Sequence, residues 1–159
     1  MSAQAIPKGY RSITPTLTVR GVDKEIRFLK EAFGATQKMR HTAPDGSVMH
    51  AEVVIGDSVV MLGEANEHCE PTTASLYLYV PDVDTAYQRA LKAGATSTME
   101  VTDMFYGDRF GSVKDFAGNT WNIATHKEDV SEEELKKRMK KFFAEQQSKQ
   151  QPNEHAQAV

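Results

Sequence analysis

From Thr14 to Val19 hydroxyl residues alternate with Pro15, Leu17 and Val19, the period-2 pattern of a strand with one apolar face. Val22, Ile26, Leu29 and Phe33 then recur at helical spacing, with Asp23 placed to N-cap the helix and Gly34 placed to end it. The same pattern returns downstream. Ser75 to Val80 reads as a strand, Asp84 as a cap, Val83, Tyr87, Ala90 and Leu91 as an apolar stripe, and Gly94 as a stop. The repetition is also literal. Leu17-Thr18-Val19-Arg20-Gly21-Val22-Asp23 matches Leu78-Tyr79-Val80-Pro81-Asp82-Val83-Asp84 at an offset of 61, and Gly34-Ala35-Thr36 matches Gly94-Ala95-Thr96 at 60.

After each helix the chain turns through a polar segment into a hairpin. In the first half Pro44-Asp45-Gly46 leads into Val48 to Ile55, then Gly56-Asp57 into Ser58 to Leu62. In the second, Tyr106-Gly107-Asp108 leads into Phe110 to Lys114, then Ala117-Gly118-Asn119 into Thr120 to Ala124. The expectation is an α+β domain over 10–130: two β-α-β-β-β modules (10–64 and 74–130) joined by a polar linker over 65–73. Ser131 and three glutamates open an amphipathic C-terminal helix over 131–145, its apolar face carrying Leu135, Met139, Phe142 and Phe143. Residues 146–159, rich in Gln, Ser and Asn, read as a disordered tail.

Composition removes whole classes of function. The 159 residues are 40% hydrophobic and 26% charged, enough for one ordinary core without disulfides or a structural metal. The lone Cys69 favours a reducing compartment. No apolar run is long enough for a membrane span, and Met1 to Gly9 holds none that reads as a signal peptide; the expectation is a cytoplasmic protein without a membrane partner. Residues 1–130 carry 13 basic against 17 acidic groups, the wrong sign for a nucleic-acid binder.

Paired modules of this grammar, carrying Tyr106-Gly107-Asp108-Arg109 and Asp115-Phe116-Ala117-Gly118-Asn119-Thr120-Trp121, resemble the vicinal-oxygen-chelate superfamily. Its members include glyoxalase I, extradiol dioxygenases, fosfomycin-resistance transferases and bleomycin-resistance proteins. Within it the chain is similar to the glyoxalase/bleomycin-resistance branch that includes the phosphonate-operon protein. The usual Asp-Pro-x-Gly turn departs here to Asp115-Phe116-Ala117-Gly118. The resemblance implies a cupped mixed sheet and a homodimer. It also implies one metal ligand on the first and last strand of each module, positions that fall on Thr14, Met61, Ser75 and Asn122. A hydroxyl, a thioether and an amide bring no charge to a divalent ion, so the usual metal site is expected to be absent.

A displaced site for zinc, nickel, manganese or iron remains an alternative, from His50 and Glu52 on one strand face with Glu64 and His126. The same His50, Glu52 and Glu64 are the catalytic candidates for a lyase, isomerase or epimerase that moves a proton next to a carbonyl. Alternation places Thr14, Thr16, Thr18, Ser75, Tyr77, Tyr79, Met61 and Asn122 on the concave side, and Trp121 on the helix side. Tyr106 and Arg109 stand at the entry to a strand, where the resemblance implies that the cup opens, Arg109 as a partner for a ligand anion or as half of a structural ion pair. Such a wall suits a mostly apolar or aromatic ligand fixed by a few hydrogen bonds. The leading expectation is a small-molecule binding protein without metal or other cofactor, the enzyme its alternative.

Overall fold

Each module folds into its own four-stranded mixed sheet. In the computed structural model, which describes residues 4–150, β1 (Thr16–Val19), α1 (Val22–Phe33), β2 (Thr36–Thr42), β3 (Val48–Ile55) and β4 (Ser58–Glu64) form the first. β5 (Ser75–Tyr79), α2 (Val83–Lys92), β6 (Thr96–Asp103), β7 (Asp108–Lys114) and β8 (Thr120–His126) form the second. The strand orders are β1-β4-β3-β2 and β5-β8-β7-β6, the same topology twice. In each, the first strand runs parallel to the last and the remaining pairs are antiparallel. The α+β reading and its doubled module are thus present as expected.

The core lies where helices meet sheets. Leu17 and Val19 of β1, Val53 of β3 and Leu62 of β4 are buried against Val22, Ile26 and Leu29 of α1. In the second module Val113 and Ile123 pack against Val83, Ala86 and Ala90 of α2. The contacts between modules use this helix side. The Phe33 ring lies 4.9 Å from Trp121, which is 2% exposed, and Arg89 Nε donates to the Glu31 carbonyl at 3.0 Å. On the opposite faces, Tyr77 and Tyr79 stay exposed on the second sheet, and Tyr10 lies over part of the first.

Three local expectations need correction. The N-cap of α1 is Gly21, in the left-handed region at φ 93°, and Asp23 instead pairs with Arg40. A glycine carries no capping side chain, so the first turn takes its acceptor from elsewhere: Glu64 receives the backbone N–H of Gly21 at 2.6 Å and of Val22 at 2.9 Å. In α2 the N-cap is Asp82, which accepts from the Thr85 backbone N–H, and Asp84 faces Arg109. Helix α3 (Glu132–Gln150) runs past residue 145, and the rest of the expected tail lies outside the described residues. It touches the domain through Phe142 on Phe105 and through Arg138 on Glu128. No helix of the described residues is long and apolar enough to cross a membrane.

Candidate functional site

The open face of the second sheet is built by alternation along three strands. Leu76 and Leu78 turn toward the helices, which leaves Tyr77 48% and Tyr79 62% exposed on the other side. Tyr77 stands opposite Asn122, and Asn122 opposite Ser112. Asn122 Nδ2 donates to Ser75 Oγ at 3.0 Å and accepts at Oδ1 from Ser112 Oγ at 3.1 Å. The Tyr77 ring lies 5.1 Å from Tyr79 and 5.7 Å from Phe110, a continuous aromatic platform.

Beneath it sits a carboxylate whose partners could not be assigned from sequence alone. Asp108 is 4% exposed, and both tyrosines donate to its Oδ2, Tyr77 at 3.1 Å and Tyr79 at 3.0 Å. His126 Nδ1 meets its Oδ1 at 2.8 Å, while His126 Nε2 meets Asp129 at 2.9 Å. Burial alone would raise the Asp108 pKa, yet the bonds from His126, Tyr79 and Tyr77 hold it below the ordinary value. The two aspartates in turn raise His126. Tyr77 is raised by burial and by the neighbouring Tyr106 and Asp108; Tyr79 is raised by its bond to Asp108. Both phenols therefore stay protonated, each donating to Asp108 Oδ2. Tyr106 lies at the rim beside Tyr77 and packs edge-on against Phe105.

Arg109 does not share this face. β7 begins at Asp108, so alternation sends the next side chain to the helix side, where Asp84 takes Arg109 Nε and Nη2 at 2.7 Å and Asp103 takes Nη1 at 3.1 Å. The arginine expected at the mouth of the cup is a structural clamp on α2 and β6.

The first sheet presents Thr16, Met61, Glu52 and His50 on its open face. Thr16 Oγ1 approaches Met61 Sδ at 3.7 Å, and Glu52 stands opposite Met61. Glu52, 3% exposed, accepts from Tyr10 Oη at 2.5 Å, meets His50 Nε2 at 3.1 Å and pairs with Lys38 Nζ at 3.1 Å. Burial would raise Glu52, but these three partners bring it down to about 2. Thr14 falls just before β1, its hydroxyl turned back to the Arg11 carbonyl at 3.2 Å.

The sequence-expected residues thus separate into two groups. Met61 lies in the first sheet beside Thr16, with Thr14 just before that sheet; Ser75 and Asn122 are bonded to each other in the second. Their hydroxyl, thioether and amide donors do not fit a divalent cation. The alternative ligands are occupied: Glu64 spends both oxygens on the α1 backbone, Glu52 on its three partners, and His126 both nitrogens on aspartates. Among the described residues no group of three or more His, Cys, Asp or Glu is arranged to hold a metal ion. His50 and Glu52 are brought together as expected; Glu64 is a helix cap and joins neither face.

Comparison with known proteins adds the lineage. Residues 12–123 match the family described as Glyoxalase/Bleomycin resistance protein/Dioxygenase superfamily. The chain is 32% identical over 139 residues to the uncharacterized protein Mb0911c of Mycobacterium bovis, covering 80% of this chain and 91% of that one. Among solved structures it is similar to TioX from Micromonospora sp. ML1, with 25% identity, TM-score 0.64, and coverage of 73% of this chain and 98% of that one. It also shares its fold with the fosfomycin resistance protein FosX from Listeria monocytogenes, solved with Mn(II) and a dihydroxypropylphosphonic acid. That match has 20% identity and TM-score 0.57, and covers 78% of this chain and 94% of that one.

Proposed function

Because the chain belongs to the glyoxalase/bleomycin resistance protein/dioxygenase superfamily, we propose that it is a metal-independent binding protein, holding a mostly apolar or aromatic small molecule against its open sheet faces. One observation carries this reading. At the positions that the resemblance assigns to metal ligands stand Thr14 and Met61 in the first module and Ser75 and Asn122 in the second, the latter pair beside the exposed rings of Tyr77 and Tyr79. Stacking on the rings supplies affinity, and the phenol oxygens with Ser75 and Asn122 supply orientation. No cofactor is required, and the lone Cys69 suits the cytoplasm.

A homodimer belongs to this reading. Met39, opposite Glu52 on the first sheet, and Tyr77 and Tyr79 on the second are large side chains left exposed on one chain, and a second copy would roof each face. A monomeric mass at micromolar concentration would contradict it.

The test is a thermal-shift screen of aromatic compounds in the presence of EDTA, repeated on Tyr79→Ala. The reading expects hits that survive the chelator and are lost in the variant. Hits that vanish with EDTA and return with a metal would refute it. A second reading, an enzyme using side-chain acid–base chemistry, is favoured by the continuous hydrogen-bonded chain Tyr79–Asp108–His126–Asp129. It predicts that His126→Asn abolishes turnover of a bound compound while leaving its binding intact.

A further inference from the structure

The open face of the first sheet already holds an aromatic group, and that group comes from the chain itself. Tyr10 lies outside the family match, which begins at residue 12, and nothing in the strand grammar calls for it. Its hydroxyl donates to Glu52 Oε2 at 2.5 Å, and Lys38 Nζ stands 3.4 Å from the centroid of its ring. His50 holds the other Glu52 oxygen at 3.1 Å. Together these form a complete recognition set for a phenol: a buried acceptor for the O–H and a cation over the π face. Around the contact the segment before β1 borders a cleft of about 410 Å³, lined by Ile6, Pro7, Tyr10, Arg11, Thr14 and Met61.

The geometry points to a phenol-recognising site formed by Glu52, Lys38 and His50, with Tyr10 as its resting occupant. A hydroxylated aromatic ligand enters by displacing Tyr10 and inherits both contacts. The chemistry supports exchange more than a permanent lock. Tyr10 is half-buried, its neighbours Lys8, Gly9 and Arg11 are exposed, and its segment adds nothing to the hydrophobic core. Glu52, in contrast, is buried and charged, so it needs a donor in place of Tyr10 whenever the segment lifts. The inference rests on the proposed role of the open faces in holding aromatic ligands, and it gives one of them a ligand class.

The experiment is a titration with p-cresol, the Tyr side-chain phenol itself, against toluene, which lacks the hydroxyl. Amide chemical shifts are followed on the wild-type chain, Tyr10→Ala and Tyr10→Phe. Removing the internal competitor raises apparent affinity by the inverse of the vacant fraction, so p-cresol should bind Tyr10→Ala about tenfold or more tighter than wild type. Its shifts should centre on Lys38, His50 and Glu52. Toluene should bind far more weakly, Glu52→Gln in the Tyr10→Ala background should abolish the preference, and Tyr10→Phe should fall between. In wild type, saturating p-cresol should also shift residues 5–14. Equal binding of p-cresol and toluene, or no shifts at Lys38, His50 and Glu52, would overturn the site. Shifts confined to Tyr77 and Tyr79 would overturn it too, while leaving small-molecule binding standing. Failure of every aromatic probe in the EDTA screen would remove both.

Discussion

Glu25, in the first half of α1, is fully buried, and neither carboxyl oxygen has a hydrogen-bond partner among the described residues. Burial, with the negative charge of Asp115 nearby, raises its pKa from 4.5 to about 8. Asp115 is itself held by four donors: the backbone N–H groups of Ala117 and Asn119, Asn119 Nδ2 and Trp121 Nε1. The folded chain therefore keeps a proton on Glu25 over a range where the unfolded chain has released it, and stability falls as pH rises from about 4.5 to about 8. By linkage the loss is about 3 kcal/mol at pH 7 and about 5 kcal/mol above pH 8, upper bounds since water and backbone relaxation reduce them. Glu25→Gln keeps the shape and cannot ionise, so it should be more stable than wild type at pH 7 by up to that first figure, with the gap closing near pH 4.5. Urea unfolding of both proteins from pH 4.5 to 8.5 measures this, because subtracting the two curves cancels every other titrating group. A difference that does not change with pH, or a Glu25→Gln protein less stable than wild type at pH 8, would refute the reasoning.

Three further substitutions probe other parts of the account. Glu64→Ala should cost about 1 kcal/mol in chemical denaturation through the lost cap of α1. It should leave ligand hits intact; a loss of binding beyond that cost would return Glu64 to the site. Gly107 has φ 101°, and an added Cβ would run into the Glu128 carbonyl, so Gly107→Ala should lose about 2 kcal/mol or more, read from its thermal midpoint. Glu52 stays ionised down to about 2 in the folded chain against an ordinary 4.5. Its contribution, up to about 3 kcal/mol, is present above pH 4.5 and is lost as pH falls toward 2. The stability gap between wild type and Glu52→Gln should shrink over that window; a constant gap would show that Tyr10, Lys38 and His50 do not act on its charge.

The repeated grammar was legible because it is local. Period-2 alternation put Leu17, Val19 and Trp121 under the helices, and that is where they lie buried. Alternation also placed Tyr77 and Tyr79 on the open side, for the same reason. What the pattern missed depends on contacts across sequence. Glu64 caps a helix that starts 42 residues earlier in the chain, and Tyr10 bonds to Glu52 across the same separation. No periodicity encodes either. Arg109 was placed near the mouth of the cup by resemblance, at the entry to a strand. Starting β7 at Asp108 fixes the faces of both residues, turning Asp108 toward the tyrosines and Arg109 toward Asp84.

The central claim, small-molecule binding without a metal, is tested most directly by the divalent-metal content of the full chain. Elemental mass spectrometry would be run before and after reconstitution with zinc, nickel, manganese and iron. The donor set at Thr14, Met61, Ser75 and Asn122 predicts retention far below one ion per chain in every condition. About one ion per chain or per dimer, removed by substitution of His50, Glu52 or His126, would contradict the account and put a metal enzyme in its place.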